Sequence, residues 1–103
     1  MIKEHARFQL EASKLGRNIV FQVTVYAKTR RRKTSLHAET QCSDPYHFVI
    51  QFVIKDCDST EEIIERFAHQ LRHRGFKPER MRGWEEQSWA PWTDVPEDSQ
   101  SVA

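Results

Sequence analysis

Six consecutive residues, Lys28-Thr29-Arg30-Arg31-Arg32-Lys33, carry five positive charges between two segments that alternate like β-strands. Cations this close repel one another, and the usual compensation is a polyanion whose counterions are released when it binds. Arginine forks grip phosphate oxygens in pairs, and Thr29, Thr34 and Ser35 add hydroxyls within reach of the same groups. Arg17, with Arg7 and Lys14, widens the basic surface if neighbouring hairpins lie side by side. The candidate nucleic-acid contacts are therefore Lys28, Arg30, Arg31, Arg32, Lys33 and Arg17. The competing explanation is a solvated hairpin tip whose charges keep a strand edge from aggregating. No Gly-rich RNA-recognition sequence and no helix-turn-helix pattern accompanies the run. Binding by this route would rest on the phosphate backbone more than on base edges.

A second cluster lies near the C-terminus. All three tryptophans, Trp84, Trp89 and Trp92, fall within nine residues, interleaved with Glu85, Glu86 and Asp94. Tryptophan is enriched at protein-binding hot spots, so this arm is the alternative interface, with Trp84, Trp89, Trp92, Glu85 and Glu86 as protein contacts. Base stacking is disfavoured there because the acids repel phosphate. The competing explanation is structural: a short chain needs large apolar side chains to close its core.

His69 and His73 stand four apart, a spacing that holds zinc on a helix, and Cys42 and Cys57 complete four ligands on paper. No Cys-x-x-Cys or HExxH pattern supports such a site, and no metal or other cofactor is expected. Asp56, Asp58, Glu61 and Glu62 are better explained as helix-start chemistry than as an acid–base site. Cys57, near a helix start, is a candidate for a lowered thiol pKa. With no placed base or oxyanion donor, catalysis and a small-molecule substrate are not expected. Both cysteines are expected to be reduced thiols, Cys42 in a turn.

The elements that must position these groups follow from periodicity. Ala6–Ala12 alternates apolar and polar as a half-buried strand, although a helix over residues 2–15 competes. Lys14–Asn18 reads as a turn around Gly16. Ile19–Ala27 is the strongest strand, with Phe21, Val23 and Val25 on one face and Gln22, Thr24 and Tyr26 on the other. Thr34–Thr40 alternates weakly as a third strand, ended by the turn signal Asp44-Pro45. Tyr46–Ile54 is apolar on both faces, which predicts a central strand. A helix over residues 60–74 starts at the Ser59/Glu62 capping box and carries the stripe Ile63, Ile64, Phe67, Ala68 and Leu71. It stops at Gly75, with Phe76 behind it and Pro78 beyond.

The 103 residues make one domain with a modest core. The expected fold is α+β: a four-stranded, mostly antiparallel meander with the helix packed on one face over Phe21, Val23, Val25, Phe48, Ile50 and Phe52. The Trp-rich segment from Lys77 is expected as an irregular or partly extended arm folded over the domain, which ends at residue 95. Residues 96–103 are expected to be a disordered acidic tail.

A formal net charge of +1 conceals sorted blocks. Residues 1–35 hold nine cations and two acids, 36–66 two and seven, 67–83 five and one, and 84–103 none and five. A bipolar surface of this kind steers partners of either sign. The acidic blocks raise a third idea, imitation of phosphates toward a nucleic-acid-binding protein. No apolar run is long enough to span a bilayer, and the N-terminus has no apolar signal core, so a cytoplasmic, membrane-free location is expected. The sequence thus points to a small non-enzymatic binding protein that contacts nucleic-acid phosphates through an Arg-rich hairpin. Its alternative is an inhibitor or adaptor docking on a larger protein.

Overall fold

The computed structural model describes residues 2–43 and 49–95, with the backbone alone at 41–43 and 49–51. Its strands are β1 (Ile2–Lys14), β2 (Arg17–Arg30), β3 (Lys33–Ser43), β4 (Val49–Cys57), β5 (Lys77–Glu85), β6 (Ser88–Trp89) and β7 (Thr93–Asp94), and its helix is α1 (Thr60–His73). The chain is α+β, and every strand pairing is antiparallel. The first four strands form the expected meander. The sheet, however, has seven strands rather than four, in the order β4-β3-β2-β1-β5-β6, with β7 also on β5.

The helix forms where its local signals put it. Ser59 is extended at φ −146° and caps the helix: its Oγ accepts the Glu62 N–H at 3.1 Å, while a Glu62 carboxylate oxygen accepts the Asp58 N–H at 2.8 Å. At the other end the Gly75 N–H donates to the Arg72 carbonyl at 3.0 Å and the Phe76 N–H to the Leu71 carbonyl at 2.9 Å. This is the Schellman arrangement, which needs the left-handed φ of +85° that Gly75 supplies. Phe76 is thereby folded back into the core.

The helix carries the chain from the β4 edge, across the sheet, to the free edge of β1, where β5 adds. From its stripe Ile63, Phe67 and Leu71 share one buried cluster with Phe8, Leu10, Phe21, Val23, Val25 and Phe52, and Ala68 is buried as well. Phe67 is at the centre, edge-on to Phe8, Phe21 and Phe52 with ring centroids 6.3, 5.7 and 5.1 Å away. The expected coverage of Phe21, Val23, Val25 and Phe52 therefore holds, while the side chains of Phe48 and Ile50 lie outside the described residues, as do Tyr46, His47 and the 96–103 tail.

Three expectations change. The strand predicted to be central, β4, is an edge strand that among the described residues pairs with β3 alone, and Val53 on its outer face is 43% exposed. Its two-sided apolar pattern reflects an exposed valine, not burial on both faces. The irregular reading of the Trp-rich segment gives way to an extended one: Lys77–Gly83 pairs with β1, Trp84 and Glu85 with β6, and Arg80 and Met81 with β7. Cys42 lies in β3 opposite Ile50, not in a turn.

Candidate nucleic-acid interface

The basic run is the tip of the β2–β3 hairpin. Arg30 pairs with Lys33, leaving Arg31 and Arg32 as a two-residue loop with φ of +52° and +66°. Positive φ at both positions is the type I′ geometry, which matches strand twist and favours Asn-Gly. Two arginines held there cost backbone energy that glycine would avoid.

The ribbon runs past its neighbours. On one side β1 pairing ends at Ile2 opposite Lys28, and on the other β4 ends at Cys57 opposite Leu36. Thr29 to Thr34 thus extend roughly 10 Å beyond the sheet as two strands alone. Strand alternation then sorts the side chains. Val25, Leu36 and Ala38 are buried on the helix side, so Tyr26, Lys28 and Arg30 on β2 and His37, Ser35 and Lys33 on β3 point to the open face. In cross-strand register these are three rows: Tyr26 with His37, Lys28 with Ser35, and Arg30 with Lys33. The Tyr26 and His37 rings stack at 5.5 Å and 26°. Thr29 and Thr34, on the other face, share a hydroxyl hydrogen bond of 3.1 Å that holds the ribbon together.

The five tip cations are exposed, and among the described residues none of them forms an ion pair. The nearest carboxylates border them rather than neutralise them. A cleft of about 500 Å³ is lined by Arg30, Arg31, Lys33 and Ser35 on the ribbon and by Asp56 and Asp58 at the β4–α1 junction. Arg17 is not part of this surface. It pairs with Lys14 at the opposite end of β2, roughly 40 Å along the strand from the tip. Lys14 and Arg7 do not widen it either. Lys14 Nζ donates to the Arg74 carbonyl at 3.0 Å and lies over the Phe76 ring, and Arg7 is held by Glu4 at 2.8 Å, a hydrogen bond that keeps its guanidinium more firmly protonated.

The tryptophans form a separate assembly at the other side of the sheet. Arg80 and Arg82 of β5 pair with Glu11 and Gln9, which alternate with buried Phe8, Leu10 and Ala12, so both arginines lie on the open face. Arg82 Nε donates to Gln9 Oε1 at 2.7 Å, and Arg80 bridges Glu11 at 3.2 Å. Trp92 covers both guanidiniums, at 4.6 Å from Arg80 and 4.3 Å from Arg82, and Trp89 covers Arg82 at 5.2 Å. Trp84 meets Trp89 edge-on at 5.0 Å and stays 38% exposed. The indoles therefore close over arginines instead of joining the core.

Chain comparison adds no relative to this picture. The chain matches no family model, no curated protein and no solved structure.

Of the two candidate interfaces, then, the fold gathers the basic tip into one surface. Of the aromatic arm's candidate contacts, Trp84, Glu85 and Glu86 are exposed while Trp89 and Trp92 are half-buried, beside a cleft of about 620 Å³ that Glu85, Glu86 and Trp89 help line. Replacing Trp92 by alanine removes two cation–π contacts. It is expected to cost about 1–2 kcal/mol, read as a fall in melting temperature of roughly 5–15 °C, with Trp89→Ala costing about half as much.

The remaining groups stay apart. Among the described residues no three His, Cys, Asp or Glu side chains converge on a metal position. Cys57 is a free, fully buried thiol, and burial pushes its pKa up, with Arg66 opposing too weakly to reverse it. The expectation of a lowered pKa therefore fails: the residue ends β4 under the core rather than facing the helix start. The acidic block 56–65 and the described part of the block 85–98 lie on opposite sheet edges, about 20 Å apart, and residues 96–98 lie outside the described residues. No described helix is long and apolar enough to cross a membrane. Sequence reasoning missed Tyr26 and His37 as site residues. The available signal was the two-residue spacing that sets Tyr26 in line with Lys28 and Arg30, and His37 with Ser35 and Lys33.

Proposed function

We propose that this protein is a non-enzymatic nucleic-acid binder that grips phosphates with the β2–β3 ribbon. The observation that carries the reading is the ribbon itself: Lys28, Arg30 and Lys33 share one face, Arg31 and Arg32 crown it, and no carboxylate pairs with any of them among the described residues. Unpaired guanidiniums in a water-exposed, protruding geometry are what counterion release requires. The two left-handed arginines strengthen the case, since a purely structural turn gains stability from Asn-Gly at no loss. The exposed indole of Trp84 beside Glu85 and Glu86 favours the second reading, a protein-docking module. That reading ranks lower because the other two tryptophans already engage Arg80 and Arg82.

The test is salt dependence. For about five phosphate contacts, the logarithm of the affinity for a labelled oligonucleotide should fall against the logarithm of salt with a slope of roughly −3.5 to −4.5, by fluorescence anisotropy. A slope flatter than about −1, or no binding at low salt, removes the proposal.

A further inference from the structure

The rows behind the tip add something that phosphate contact does not use. A hollow of about 180 Å³ on the open face is lined by Lys28, Ser35, His37, Glu39, Lys55 and Asp56, among others. It shares Ser35 and Asp56 with the cleft under the tip cations, so the two form one continuous path from the ribbon tip back onto the sheet. His37 gives this hollow an aromatic wall. One face of its ring is turned to Tyr26 in the stacked pair, and Lys55 and Asp56 of β4 line the hollow beside it.

Lys28 and Lys55 balance Glu39 and Asp56 in this lining, so the hollow offers a phosphate no net attraction. The same carboxylates accept hydrogen bonds from base amino groups, and an aromatic wall attracts the flat face of a base. Lys28 with Arg30 and Lys33 then stand in line to take the flanking phosphates, at the two-residue steps of a strand. A duplex keeps its bases stacked inside and has none to offer the hollow.

We infer that the ligand of this surface is single-stranded nucleic acid, with one unpaired base stacked on His37, extending the Tyr26–His37 pair, and its neighbouring phosphates on the ribbon cations. The inference rests on the ribbon being a phosphate-binding element, and its test separates the two. Anisotropy titrations use labelled 12-nucleotide single strands of DNA and of RNA and a 12-base-pair duplex, against wild type, His37→Val, His37→Phe and a Lys28/Arg30/Lys33→Ala variant.

The wild type should bind at least one single strand about ten-fold more tightly than the duplex. His37→Val should weaken that single-strand binding about ten-fold and leave duplex binding within two-fold, while His37→Phe, which restores a ring, should bind as wild type does. The DNA and RNA arms tell which sugar is preferred, and a preference for either supports the inference. Ultraviolet crosslinking should place an attached nucleotide on His37 or Tyr26. Equal affinity for duplex and single strand, with His37→Val unchanged and the triple alanine variant impaired on both, overturns the inference and leaves the phosphate-binding ribbon standing. Absence of binding by the wild type to all three probes at low salt overturns both. Melting temperatures within a few degrees of wild type show that each variant is folded. If His37→Val unfolds, crosslinking on the wild type still decides the matter.

Discussion

Phe67→Ala is expected to lower the unfolding free energy by about 3–5 kcal/mol and the melting temperature by roughly 15–30 °C. The side chain is completely buried and stands edge-on to three other rings, from β1, β2 and β4. Truncation removes the transfer energy of a large side chain and three aromatic pairs, and opens a cavity between a helix and a sheet that cannot both collapse onto it. A domain of this size has a total stability of about 5–15 kcal/mol, so the variant loses a large part of it. Val53→Ala on the exposed face of β4 is the control and should stay within about 0.5 kcal/mol of wild type. Thermal and denaturant unfolding followed by far-ultraviolet circular dichroism measures both. A loss under about 1.5 kcal/mol at Phe67 would mean that the helix does not seat on the sheet as described.

The position of Phe67 was legible because everything that fixes it is local. Ser59 with Glu62 starts the helix, Gly75 stops it, and the apolar stripe between them turns one face to the sheet. The β1 to β3 strands were legible for the same reason: alternation such as Phe8/Leu10 or Phe21/Val23/Val25 declares a buried face without reference to any partner. Strand order is different in kind. Nothing within Val49–Cys57 encodes that it pairs with β3 at the sheet edge, since that is decided by where β5 adds after the helix has crossed.

β5 itself was hidden by its chemistry. Lys77-Pro78-Glu79-Arg80-Met81-Arg82 has almost no apolar alternation, because its open face is made of guanidiniums covered by Trp89 and Trp92 rather than of aliphatic side chains. A strand whose buried partners are cations beneath indoles does not register in hydrophobic periodicity. The Arg-rich tip was visible as a charge cluster, but its composition was not. Arg17 belongs to the same positive block of sequence, yet the antiparallel β1–β2 pairing sends it to the far end of a 14-residue strand. Tyr26 and His37, far apart in sequence, become neighbours only through the register of β2 with β3. Charge density along the chain located the surface, and register decided which residues share it.

That division sets up an opposition between stability and binding at the hairpin tip. Replacing Arg31-Arg32 by Asn-Gly supplies the residues that a type I′ turn prefers, and should raise stability by about 1–2 kcal/mol by removing two side chains from left-handed backbone. The same change removes two of the five cations. Each lost phosphate contact costs about five-fold in affinity near 0.15 M salt, because the affinity scales with salt to the power of about −0.9 per contact. The Asn-Gly variant should therefore melt higher and bind nucleic acid roughly 30-fold more weakly, with a salt slope shallower by about 2. The Arg30/Arg31/Arg32→Ala variant should lose roughly 10²-fold in affinity and gain no stability, since alanine is no better suited than arginine to positive φ. Measured side by side, the two variants separate charge from turn geometry. A stabilised Asn-Gly tip that binds as tightly as wild type would show the arginines to be bystanders. A destabilised one would show that the ribbon does not close through residues 31 and 32 in the left-handed conformation. The expected combination, a firmer fold with a weaker grip, has one physical cause: the chain holds two guanidiniums in a backbone conformation they do not favour, at the point where they reach furthest into solvent.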